Sequence, residues 1–135
     1  MGAWGSGSFE NDDAMDWLDV LTDSGDDEPI IGALEEVVAM AEAGDYIEAP
    51  FACNALAAAE IVAALHGKPS ADLPKEATAW LAGKAVPPAS LLATAQKAVR
   101  AIRTGENSEL KELWQESGEM SAWLKAVENL ENRLA

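Results

Sequence analysis

The chain is poor in the residues that most often carry chemistry. Its 135 residues include one Cys and one His. A single Cys excludes an internal disulfide framework and fits a reducing compartment. One Cys with one His also excludes the usual zinc-binding sets. Bases are absent from the first half: no Lys or Arg precedes Lys68. With 9 bases against 24 acids, the formal net charge is −15. Binding to a nucleic-acid backbone needs clustered Lys and Arg, so that partner class is excluded. β-branched aliphatics are scarce, and no segment alternates apolar and polar residues long enough to predict a strand. Apolar runs are broken by polar residues within about a dozen positions, too short to cross a bilayer. The opening MGAWGSGSFENDD lacks the basic and apolar regions of a secretory signal, so the expectation is a cytoplasmic protein. Met1–Ser6 fits the loose N-myristoylation pattern, but no basic patch accompanies it, and we read the match as chance.

Ala and Leu dominate instead, with 27 and 14 positions against 12 for Val and Ile together. Both are strong helix formers, and they predict an all-α fold. The length suits one domain, residues 1–135, that can bury roughly two-thirds of its unfolded surface without a staple. Charge divides the chain. Residues 1–67 hold 15 acids and no Lys or Arg, whereas residues 68–135 hold nine of each. The entire imbalance therefore lies in the first half, which points to a cationic partner, a metal, pairing between the halves, or a solvated face.

Periodicity and capping signals predict about seven helices. Residues 1–11 form a Gly-rich loop with Trp4 and Phe9 embedded, pinned to the core, in which Gly2, Gly5 and Gly7 can supply positive φ. It lacks the third Gly of a dinucleotide fingerprint, and no strand precedes it. Asn11 or Asp12 caps a helix over about 12–22, with Ala14, Trp17, Leu18 and Leu21 inward. Asp12, Asp16, Asp19 and Asp23 run down a neighbouring face. A second helix covers about 29–43, with Ile30, Ile31, Leu34, Val37, Val38 and Ala41 inward and Gly44 past its end. The third, about 49–66, is apolar nearly all round and is expected at the centre of the molecule. Short helices follow from Leu73–Pro74 to Leu81, with Trp80 inward, and after Ser108. Longer ones span about 88–104 and 119–134.

The opening Met1-Gly-Ala-Trp4-Gly-Ser-Gly7-Ser-Phe9-Glu-Asn11-Asp-Asp13-Ala-Met-Asp16-Trp17 is similar to a bacterial domain-of-unknown-function family of small acidic all-helical proteins. Its members begin M-G-A-W-G-x-G-x-F-x-N-D-x-A-x-D-W. Glu48-Ala49, Leu56–Glu60, Gly67–Pro69, Leu73-Pro74 and Glu109–Trp114 match as well. Ser6 replaces the usual Thr and keeps its hydroxyl. The resemblance covers nearly the whole chain and implies a bacterial, cytoplasmic, stand-alone domain. It implies no activity.

Candidate binding residues are Asn11, Asp12, Asp13 and Asp16 beside Trp4 and Trp17, together with Glu60. Carboxylates there suit a hard cation or a basic group, although no EF-hand spacing is present and we assign no metal. Glu60 is the one charge in the apolar run, so it is a pocket acid, the partner of a base on the fifth helix, or exposed at a gap in the packing. The pairs Glu109/Glu112 and Glu128/Glu131 resemble the paired carboxylates that hold Mg²⁺ in all-α pyrophosphatases. Their neighbouring Leu residues claim the inward faces. Cys53 and His66 lie 13 residues apart on one helix, about 20 Å by helical rise, which rules out a thiolate–imidazole pair. The leading expectation is an acidic, non-enzymatic protein-binding module without a cofactor. One version is an immunity-type inhibitor of a basic partner protein. The alternatives are a Mg²⁺-dependent hydrolase acting through the acidic clusters and a structural homo-oligomer.

Overall fold

Small side chains on one helix set the architecture. The computed structural model describes residues 5–135, which form α1 (Asp12–Ser24), α2 (Glu28–Ala43), α3 (Ala49–Leu65), α4 (Lys75–Leu81), α5 (Ala89–Thr104), α6 (Glu109–Ser117) and α7 (Met120–Leu134). Every residue of α3 from Ala55 to Ala63 is buried. α3 packs against each of the other six helices. Methyl side chains make this possible, because they let neighbouring helices approach closely on all sides. The expected all-α fold around an Ala-rich central helix is what the structure shows.

The surrounding helices are amphipathic. α1 turns Ala14, Trp17, Leu18 and Leu21 inward, and α7 turns Trp123, Val127, Leu130 and Leu134 inward. These are the stripes that the i, i+3, i+4, i+7 spacing predicts. α5 buries Leu91, Ala95, Ala98, Val99 and Ile102. On α2, Ile30, Leu34 and Val37 are buried, but Ala41 is exposed. The last turn of α2 outruns the core, so the apolar face read from the sequence ends one turn early. Trp80 is half-buried rather than fully inward, with the Lys84 ammonium 4.5 Å from the centre of its ring.

Two loops are tied to each other. The Ile47 amide donates to the Asn107 carbonyl (2.7 Å), and the Glu109 amide donates to the Ile47 carbonyl (3.0 Å). This parallel bridge between Ile47 and Ser108 is the extended pairing present among the described residues. It sets the start of α3 beside the start of α6.

Glycines 25 and 44 close α1 and α2 with φ of 74° each, the left-handed conformation that favours Gly. The N-terminal loop differs from expectation. Gly2 lies outside the described residues, and Gly7 does not take positive φ. Gly5 and Gly7 are crowded by the Glu10 side chain, whose Oε1 accepts from the Gly7 amide (3.0 Å). A Cβ at Gly7 would lie 2.6 Å from that oxygen, so a side chain there would displace it. Phe9 anchors the loop in the core.

Candidate functional site

Three remote segments meet at Glu60. This residue lies in the middle of α3 and is 5% exposed. Arg133, on the last turn of α7, grips it with both guanidinium arms: Nη1 donates to Oε1 (2.8 Å) and Nη2 to Oε2 (3.2 Å). The Ser8 hydroxyl of the N-terminal loop also donates to Oε2 (2.8 Å). Arg133 is itself held, with Nε donating to Asn129 Oδ1 (2.7 Å) and Nη1 also reaching the Lys68 carbonyl (3.3 Å). A buried carboxylate is tolerated only when paired and hydrogen-bonded, and here both of its oxygens are engaged. The partner expected on α5 is supplied by α7. On α5, Arg103 is taken by Glu131 of α7, and it is Arg133, in the last turn of α7, that reaches Glu60.

The network floors a cleft of about 530 Å³, lined also by Glu10, Asp72 and Lys125. A smaller cavity of about 20 Å³ sits under Gly5–Ser8, against Cys53, Trp114 and Trp123. Sequence reasoning singled out Glu60 but missed Ser8, Asn129 and Arg133. The only local signal was the i, i+4 spacing of Asn129 and Arg133. Their convergence on Glu60 depends on how α7 packs.

The acidic N-terminal residues are not gathered into one centre. Asn11 is buried and caps α1: Oδ1 accepts from the Ala14 amide (2.8 Å), and Nδ2 donates to the Ser8 carbonyl (3.4 Å). Asp13 is half-buried, and its charge reaches the Cys53 thiol. Asp12, Asp16, Asp19 and Asp23 are exposed. Their four-, three- and four-residue spacing keeps them within an arc of about 60° on α1. Trp4 lies outside the described residues. Among the described residues, no three His, Cys, Asp or Glu side chains converge in a way that could hold a metal ion.

Three of the four paired glutamates serve the fold. Glu109 Oε1 accepts from the Ala49 amide in the first turn of α3 (2.7 Å), where a carboxylate also complements the helix dipole. Glu112 Oε1 accepts from the Tyr46 hydroxyl (2.6 Å). Glu131 takes the Arg103 guanidinium. Cys53 is buried, and burial first, then the Asp13 charge, pushes its thiol up to about 12. That makes it a poor nucleophile at neutral pH. His66 ends α3 as its C-cap.

Two ion pairs form among the described residues, Glu60–Arg133 and Glu131–Arg103. Of the acids in the first half, only Glu60 takes part. None of the described helices is long and apolar enough to cross a membrane.

No curated protein and no solved structure matches the chain. Residues 2–126 match the model of a family described as a domain of unknown function, DUF4259.

Proposed function

The chain belongs to this family of unknown function, and from that premise we propose that it is a non-enzymatic binding module whose acidic face docks a basic partner protein, in the manner of an immunity-type inhibitor. One observation carries the reading. The acids of residues 1–67 other than Glu60 have no Lys or Arg partner among the described residues. Four of them form the exposed Asp12, Asp16, Asp19 and Asp23 stripe on α1. Unpaired charge of one sign steers an oppositely charged protein and speeds its capture more than it tightens the final complex. The structural use of Glu109, Glu112 and Glu131 favours binding over hydrolysis.

The test is capture at low ionic strength. Immobilised protein should retain a basic protein in stoichiometric amount and release it as salt rises. Replacing all four stripe residues (Asp12→Asn, Asp16→Asn, Asp19→Asn, Asp23→Asn) should cut retention by about tenfold, with the helical circular dichroism unchanged. Retention of no protein, or retention that neither salt nor the four substitutions weakens, would refute the proposal.

A further inference from the structure

Residues 5–8 lie between two spaces. Gly7 and Ser8 line one side of the cleft of about 530 Å³ that Glu60 and Arg133 floor. The same two residues line the cavity of about 20 Å³ behind them. This short segment is therefore the wall between cleft and cavity. Behind it lie Cys53, Leu56, Leu110, Trp114, Trp123 and Val127 of α3, α6 and α7, none more than 8% exposed. The closed cavity has room for about one water molecule.

The wall is weakly fastened. Among the described residues, one hydrogen bond ties it to the helices beneath, from the Ser8 hydroxyl to Glu60 Oε2 (2.8 Å). Its other hydrogen bonds reach no further than three residues along the chain. They join the Glu10 amide to the Gly7 carbonyl (3.0 Å), the Gly7 amide to the Glu10 carboxylate (3.0 Å) and the Asn11 side chain to the Ser8 carbonyl (3.4 Å). Residues 5–8 carry no side chain larger than that of Ser, so they bury little apolar surface of their own. Phe9, the next residue, is seated in the core. Few buried apolar contacts and few hydrogen bonds to the body mark a segment that opens locally while the rest stays folded. Opening costs Glu60 one donor. Arg133 keeps both of its contacts with the carboxylate, so the buried charge stays paired.

We propose that residues 5–8 are a lid, pivoting at Phe9, whose opening joins the cleft and the cavity into one pocket with an indole-lined back and the Glu60–Arg133 pair at its mouth. Ser8 is the latch, and Gly7 lets the backbone swing at low steric cost. The lid is independent of the docking reading, which concerns the exposed face of α1.

Cys53 is the only cysteine and lines the cavity, so its labelling reports opening. The native protein is treated with methyl methanethiosulfonate and followed by intact mass. The labelling rate should barely change over the first ~1 M urea, because opening a short lid exposes little surface. Ser8→Ala should speed labelling about tenfold, the scale of one hydrogen bond to a charged group. Ile102→Val trims a fully buried side chain of α5 and lowers global stability instead, so it should leave the rate without urea unchanged. Labelling that climbs steeply from the lowest urea concentrations, in step with global unfolding, would overturn the proposal. So would no labelling below the unfolding transition, equal rates for Ser8→Ala and the wild type, or an acceleration in Ile102→Val as large as that in Ser8→Ala.

Discussion

Tyr46 shows how a single side chain can report on the tertiary structure. It is about half exposed, yet its hydroxyl donates to Glu112 from a residue far away in the sequence. That hydrogen bond first, then partial desolvation and the charges of Glu112, Glu109 and Glu116, push the phenol up to about 12 from its ordinary 10.0. Tyr46 is the only tyrosine, so the near-ultraviolet absorbance change on ionisation reads it directly. It should titrate well above 10 in the native protein and return towards 10 in Glu112→Gln. A native midpoint near 10 would mean that the contact does not persist in solution. The linkage sign follows from the direction of the shift. Cys53 and Tyr46 both have raised folded-state values, so their contribution to stability is present below their ordinary values and is lost as pH climbs towards about 12.

The helices differ in how much of their role the sequence reveals. α1, α5 and α7 carry clean amphipathic stripes, and the buried residues of each follow the periodicity. α3 has no polar face, so its lack of pattern was the signal that it is wrapped by neighbours. Ala58 is fully buried there. Ala58→Leu must insert three carbons into a packed interior and should cost about 1–3 kcal/mol. Ala93→Leu, on the exposed side of α5, should stay within about 0.5 kcal/mol of wild type. Denaturant unfolding of the two variants measures the contrast. If both were neutral, α3 would not be tightly surrounded.

At the scale of the molecule, charge is the dominant unbalanced force. The net −15 is spread over a surface with two ion pairs among its described residues, so like charges repel in the compact state. Added sodium chloride screens that repulsion. Tm should therefore rise by several degrees from low to moderate salt, and the four-Asn stripe variant should show a smaller rise, starting from a higher Tm. A Tm that is flat in salt would mean that the acids are too dispersed to oppose folding.

Composition and spacing alone determined the helical class, the order and approximate limits of the helices, the central position of the alanine-rich one, and the uneven charge. These follow from local rules: helix propensity, the 3.6-residue period, capping residues and the count of acids and bases. Tertiary structure decided which base neutralises Glu60, that Gly7 makes room for Glu10 rather than turning left-handed, and that Glu109, Glu112 and Glu131 are spent on α3, Tyr46 and Arg103. Each of these depends on which helix faces which and at what rotation. That is set by the fit of side chains across the whole core, and no stretch of a dozen residues contains it.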